Sequence, residues 1–416
     1  MTERTNTAKP ELLAPAGGPE QLREAIHFGA DAVYLAGKRW GMRAAADNFF
    51  PEELERAVSY AHAHNVQIHL TLNTLMSDED IAELPGYLRW IQSIGVDAII
   101  VADLGVMRLW KKYAPQVELH VSTQDSVMNA EAARAYAALG ASRIVVAREL
   151  SIKAIKRMKA ALPPTLTLET FVHGSMCMAY SGRCLLSAAL VGPERSANRG
   201  ACTQPCRWNW RIAEGDDPQR VLPVEEEGGR FYVLSASDLC MLDHLKELQD
   251  AGIDSFKIEG RNKGAYYVGC VTNAYRHVLD GEDPELWRSE LDKVSHRPYS
   301  TGFYFGQPKQ VGAFERGEDY IRDRLFIGSI TKTYADDGGN RWTEFVSRNK
   351  ADMTEPLVVL SPHHPIRAIS LTDLEQWDEK TQGWVPCVAV HATSARYRFT
   401  SELSLETLDM LAQDVE

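Results

Sequence analysis

The sequence predicts an α/β protein, a (β/α)8 TIM-like barrel followed by a small all-β domain, and three observations predict it. A glycine followed by a short apolar run recurs four times: "GADAVYLAG" from Gly29, "GVDAIIVAD" from Gly95, "GASRIVVARE" from Gly140 and "GIDSFKIEG" from Gly252. Amphipathic stretches precede these runs, and four further strand candidates lie between them. Beyond about residue 295 the helical pattern ends, and short β-type segments follow one another.

Each repeated unit reads as a helix stop followed by a buried parallel strand. In "PEQLREAIHF", "IAELPGYLRWIQSI", "AEAARAYAAL" and "SDLCMLDHLKELQDA" apolar residues recur at three- and four-residue spacing, the mark of a helix with one buried face. The strand candidates "ELLAPA" from Glu11, "QIHLTLNT" from Gln67, "ELHVSTQ" from Glu118 and "TLETFVHG" from Thr167 bring the total to eight. Eight strands alternating with helices is the count and order of a barrel. A doubly wound open sheet uses the same alternation, but no G-x-G-x-x-G follows the first strand. The expected domains are a flexible N-terminus (1–10), the barrel (11–295) and a barrel-like β domain (296–416). The last of these opens with "SHRPYSTGFYFGQP" and continues through segments such as "RWTEFVSR" and "PLVVLSP" separated by turn residues.

With 44% hydrophobic and 25% charged residues, the chain has a globular composition. A net charge of −12 argues against a surface that binds polyanions everywhere, but leaves room for a local basic groove. No stretch resembles a signal peptide, and none approaches the roughly 18 apolar residues of a membrane helix. The expectation is a cytoplasmic protein without membrane contact. The acidic insert "EGDDPQRVLPVEEEGGR", residues 214–230, reads as a solvated loop.

In a barrel of this kind the C-terminal ends of the strands form the active face. Those ends read Pro15, Gly37, Asn73, Asp103, Gln124, Arg148 with Glu149, His173, and Glu259 with Arg261. The segment "GSMCMAYSGRCLLSAALVGPERSANRGACTQPCRWNW" leaves the seventh strand at that face and carries Cys177, Cys184, Cys202 and Cys206. In a reducing compartment such a cluster points to a metal or redox site rather than disulfides. Only Cys202 and Cys206 have the spacing of a zinc knuckle, whereas an iron–sulfur cluster accepts irregular spacing. Cys270 and Cys387 read as core residues, and helical spacing alone would make Cys240 one too. Arg195, Arg199, Arg207 and Arg211 interleave with Trp208 and Trp210, a combination that holds phosphates and stacks an unpaired base, and the two tryptophans equally suit a cover that keeps water from a cluster.

The eighth strand "SFKIEGR" alternates, so Lys257, Glu259 and Arg261 share a face directed into the barrel. Glu259 neutralises one of the two cations and leaves the other for a carboxylate or phosphate. The candidate catalytic residues are His173, Glu259 and Lys257. For proteolysis there is neither H-E-x-x-H nor G-x-S-x-G, which leaves Cys177 with His173 as base as the peptidase alternative.

The run "ETFVHGSMCMAYSGRCLLS", residues 169–187, resembles the signature of the collagenase-like peptidase family of undetermined catalytic type. "NRGACTQPCRW", "SASDLC", "KIEGR" and "RPYSTGFYFG" are similar to its branch associated with tRNA wobble-uridine hydroxylation, and the resemblance covers nearly the whole chain. It implies formation of 5-hydroxyuridine at tRNA position 34, dependence on prephenate, and a 4Fe-4S cluster supplied by the iron–sulfur assembly machinery. The ligands it implies are Cys177, Cys184, Cys202 and Cys240, with Cys206 as the alternative. Prephenate is a dicarboxylate, best held by guanidinium forks, for which Arg43, Arg148 and Arg261 are the candidates. Two other classes of function stand beside this one: a collagenase-like peptidase, and a non-catalytic iron–sulfur scaffold in a hydroxylation complex.

Overall fold

The computed structural model describes residues 9–177, 179, 183–208, 237–306, 321–351 and 356–415, without the side chain of Arg207. Trp210 and the acidic insert 214–230 lie outside the described residues. Strands β1 (Glu11–Pro15), β2 (Ala32–Leu35), β3 (Gln67–Leu72), β4 (Ala98–Val101), β5 (Glu118–Val121), β6 (Arg143–Val145) and β7 (Thr167–Ser175) each pair in parallel with the next. After β8 (Asp238–Cys240), β9 (Ser255–Ile258) pairs in parallel with both β7 and β1. The parallel strands therefore close into a barrel, as the alternation predicts.

Local chemistry accounts for the closure. Gly29, Gly95, Gly140 and Gly252 all have left-handed φ, between 84° and 110°, where a side chain is disfavoured and a helix can stop. Both β2 and β4 are buried at every residue, as expected of strands covered on two sides. The surrounding helices are α1 (Pro19–His27), α2 (Pro51–Ala63), α3 (Asp78–Ser93), α4 (Leu104–Tyr113), α5 (Ala130–Leu139) and α6 (Ile152–Ala160), then α7 (Leu186–Val191) and α8 (Leu245–Asp250). Ser77, Asp103, Asn129 and Ser151 cap α3 to α6 by accepting from backbone N–H groups of the first turn.

One predicted helix is replaced. "SDLCMLDHLKELQDA" forms β8, a 3-10 turn and only then α8. The cause is a buried ion pair: Arg297 donates to Asp238 through Nε at 3.1 Å and Nη2 at 2.7 Å. That pair draws the chain into an extended course between β7, antiparallel, and β10 (Tyr299–Ser300), parallel.

Two compact units are formed, and their boundary differs from residue 295. Helices α9 (Ala265–Leu279) and α10 (Pro284–Leu291) group with the C-terminal strands, while 297–306 group with the barrel. Asn273 of α9 donates to the carbonyl of Ser361 at 3.3 Å, and Arg324 pairs with Glu290 of α10. Tyr304, in contrast, donates to the Phe171 carbonyl of β7 at 2.5 Å. The second unit holds β11 (Arg324–Ala335), β12 (Arg341–Ser347), β13 (Leu357–Ser361), β14 (His364–Ile369), β15 (Thr372–Asp378), β16 (Gly383–Pro386), β17 (Arg396–Thr400) and β18 (Met410–Asp414). They form an antiparallel sheet in the order β14-β13-β18-β11-β12-β17-β15-β16 over a core that includes Ile330, Phe345, Tyr397 and Phe399. No helix among the described residues is long and apolar enough to cross a membrane.

The barrel interior is charged as well as apolar. Glu169 is fully buried and accepts from Lys257 at 2.8 Å and Arg143 at 3.4 Å, and Arg143 also pairs with Glu11. His69 and His120 meet edge to face beside them, ring centroids 4.9 Å apart. Burial, aided by the neighbouring cations, keeps both imidazoles neutral, His69 well below its ordinary value and His120 down to about 3. Unfolding restores the ordinary affinity for protons, so the unfolded chain binds more protons below about pH 6.5. Stability is therefore complete above that pH and falls as pH drops towards about 3, by at most about 1.4 kcal/mol per pH unit for each histidine. Urea midpoints measured from pH 7 to 4 should show this slope, and His120→Gln should flatten it.

Candidate active site at the barrel mouth

Within the C-terminal end of the barrel lies a small cavity of about 40 Å³ whose walls include Tyr34, Thr71, Asn73, Gln124, Arg148, Phe171, Lys257, Glu259 and Arg261. The alternation expected of the last strand holds: Lys257, Glu259 and Arg261 all turn inward and are buried. Their partners differ from the expected ones. Lys257 is neutralised by Glu169, while Glu259 is engaged by Arg43, whose Nε and Nη2 lie 3.2 and 3.1 Å from Oε1. The Tyr34 hydroxyl donates to the other oxygen, Oε2, at 3.1 Å. Burial would raise the Glu259 carboxyl, but Arg43, Arg148 and Arg261 together hold it down at about 2.

Arg261 is only 2% exposed, and among the described residues it has no carboxylate partner. Its Nη1 donates to Thr71 Oγ1 at 2.8 Å and Nη2 to the Arg43 carbonyl at 3.4 Å, while Nε is buried without a partner. Burial lowers this guanidinium to about 10, a sign of how poorly its charge is compensated. Arg148 lies over the Phe171 ring, 4.0 Å from its centroid, and its Nε is likewise buried and unpartnered. Of the three arginines expected to hold an anion, Arg43 is already ion-paired, whereas Arg148 and Arg261 keep hydrogen-bonding capacity directed at the cavity.

A second cavity, of about 260 Å³, is lined by Cys177, Cys184, Cys202 and Cys206, and it shares Met42, Arg43, Thr123, Gln124 and Arg148 with the first. The two adjoin. Cys240 is placed differently, on β8 opposite His173 of β7, and is not among the residues lining this cavity. Its place on a strand, not in the first turn of a helix, corrects the geometry expected from helical spacing.

The cysteine segment is stitched to the barrel by side chains that the sequence does not single out. Asn198 clamps Cys184 at two points, accepting from its N–H at 3.1 Å and donating to its carbonyl at 3.2 Å. The Asn198 carbonyl accepts from the Leu75 N–H at 3.0 Å. Gly200 has a left-handed φ of 84° and packs so closely that an added Cβ would lie 2.5 Å from the Gly41 carbonyl oxygen. Arg199 donates to the Leu75 carbonyl at 3.1 Å and to Asp80 at 3.0 Å. Its fork is anchored by these contacts, and half of the side chain stays exposed. Trp208 is 42% exposed, as a stacking platform requires. His173 is 1% exposed, lies against Tyr299 and lines neither cavity, so it is poorly placed as a base for the exposed Cys177.

The donor set can be tested against the group it is expected to hold. Backbone N–H groups of Leu186 and Gln204 point at the sulfurs of Cys184 and Cys202, at 3.4 and 3.3 Å, the type of contact that stabilises cluster thiolates. Zinc bonds of about 2.3 Å would hold thiolates about 4 Å apart. Among the described residues only His69, His120 and Glu169 have donor atoms all within 4.8 Å of one another, so no three cysteine sulfurs approach that closely. As placed, the described thiols do not form a three-ligand site for a single ion. The histidine trio is a core network, since both Glu169 oxygens already face cations.

A closed parallel barrel carrying a thiol-lined cavity over its C-terminal face defines the class of protein. The chain belongs to peptidase family U32, whose family model matches residues 17–313. It is 40% identical over 314 residues to the tRNA hydroxylation protein P1 of Bacillus subtilis, covering 74% of this chain and 73% of that one. Similarity to the 23S rRNA 5-hydroxycytidine synthase of Escherichia coli is 36% over 401 residues, 86% of this chain and 58% of that one. With a protein of Porphyromonas gingivalis named collagenase it shares 33% over 343 residues, 78% and 80% of the two chains.

The poorly compensated charge of Arg261 has a cost in the free protein. Arg261→Met should raise stability by about 1–2 kcal/mol, because an unpaired buried cation gives way to an apolar side chain of similar length. Thermal melts without ligand provide the check, and a lower melting temperature would mean that Arg261 supports the fold.

Proposed function

We propose that this chain hydroxylates a pyrimidine in RNA, forming 5-hydroxyuridine at the wobble position of tRNA, with prephenate as a dicarboxylate cosubstrate and a 4Fe-4S cluster as cofactor. One observation carries the reading: a thiol-lined cavity adjoins a barrel cavity in which two guanidiniums lack carboxylate partners. The names of the relatives from Bacillus subtilis and Escherichia coli support RNA as the substrate. Cys177, Cys184 and Cys202 would hold the cluster, with Cys240 as fourth ligand and Cys206 as the alternative. Converting C5–H to C5–OH is a two-electron oxidation that needs an oxygen donor and an electron acceptor from outside the protein, and a bound cluster would supply one-electron transfer between them and the site. Arg261 and Arg148 would orient the cosubstrate, their forks matching carboxylate geometry. Gln124, shared by both cavities, stands where the two reactants would meet. Trp208, with Arg207 and Trp210, is suited to receive an unpaired base and its phosphates.

Nucleoside mass analysis of tRNA from a deletion strain is the primary test, with restoration of 5-hydroxyuridine by the wild-type gene as the expected result. Arg261→Lys keeps the charge but removes the fork. It should weaken hydroxylation at limiting prephenate without loss of iron, and normal modification there would place the carboxylates elsewhere. Iron content after anaerobic purification identifies the fourth ligand: Cys240→Ala should lose iron and Cys206→Ala should retain it, and the reverse would exchange their roles.

A further inference from the structure

Tyr34 lies inside the barrel cavity and is buried, and neither its apolar surroundings in "AVYLAG" nor the reaction proposed above accounts for its hydroxyl. The hydroxyl has one proton and faces two acceptors, the Ile258 carbonyl at 3.0 Å and Glu259 Oε2 at 3.1 Å. The carboxylate is the stronger acceptor because it is charged. With Arg43 on Oε1 and Tyr34 on Oε2, both oxygens of Glu259 have donors other than Arg261, which itself reaches the Arg43 carbonyl. Arg261 and Arg148 remain close enough to pull the Glu259 carboxyl down, yet neither forms an ion pair with it among the described residues. A buried cation next to a carboxylate would ordinarily take it as partner, so something must hold the carboxylate in place.

We infer that Tyr34 is a positioning residue which, by holding Glu259 towards Arg43, keeps Arg261 open to the anionic cosubstrate. This rests on the reading of the barrel cavity as the carboxylate site. Without the hydroxyl, Oε2 loses the Tyr34 bond, and the carboxylate is released to turn towards Arg261, whose Nε is buried without a partner. The cosubstrate must then displace an internal carboxylate before it can bind. Binding is weakened, while the chemical step, once the anion is seated, is unchanged.

The test uses the iron-loaded full-length protein, with tRNA hydroxylation followed as prephenate is varied. Tyr34→Phe should raise KM for prephenate roughly tenfold while kcat at saturation stays within about twofold, the pattern of lost ground-state binding. Adding Glu259→Gln to Tyr34→Phe removes the competing carboxylate and should bring KM back towards the wild-type value, a rescue that a merely structural tyrosine would not show. A crystal structure of Tyr34→Phe should place the Glu259 carboxylate within ion-pair distance of Arg261. An unchanged KM overturns the inference, as does a raised KM without rescue while Glu259 remains on Arg43 alone. If the wild-type protein hydroxylates without any dependence on prephenate, the cosubstrate reading falls, and the position of Glu259 in that crystal structure alone decides the role of Tyr34.

Discussion

The carboxylate of Glu259 and its two partners set the charge of the barrel mouth, and the rest of the site follows from that charge. Deeper in the barrel the charges balance, Glu11 and Glu169 against Arg143 and Lys257. Higher up, a single carboxylate faces Arg43, Arg148 and Arg261. A molecule of net charge −12 therefore carries two uncompensated positive charges in its central cavity. Low-dielectric walls concentrate such a field, so a small anion is drawn to a cavity whose sign opposes the net charge of the molecule.

Much of this was legible in the sequence. Glycine stops before apolar runs reveal the strands because only glycine readily takes the left-handed conformation that ends a helix. Two-residue alternation in "SFKIEGR" places Lys257, Glu259 and Arg261 inside. What escaped is what depends on partners distant in sequence. Asp238 is drawn into a strand by Arg297, overriding a helical pattern that extends through Leu248. Arg199 is half exposed, but no local pattern shows that Asp80 and the Leu75 carbonyl anchor its fork. Tyr34 and Thr71 sit within apolar runs, where a lone polar residue carries no signal until the barrel closes. The inward phase of "QIHLTL", which sets His69 and Thr71 on one face, is a trace of it in retrospect.

The thiol-bearing segment also shows how a loop acquires the precision of a scaffold. Asn198 holds the backbone of Cys184, Gly200 lets the chain press against Gly41 and Met42, and Arg199 ties it to the start of α3. These contacts engage backbone as much as side chains, so the sulfurs are positioned by the path of the chain. Groups held in this way would need little reorganisation to take up the cluster proposed above.

The antiparallel pairing of β7 with β8 sets His173 opposite Cys240 and Ser175 opposite Asp238, closing the long excursion between them at its base like a clasp. Each doubling of a flexible loop costs only about 0.6 kcal/mol in closure entropy, so a clasped excursion can lengthen or shorten cheaply. Cys177 and Cys240 stand just beyond and within the clasp, and strand hydrogen bonds keep their register whatever lies between.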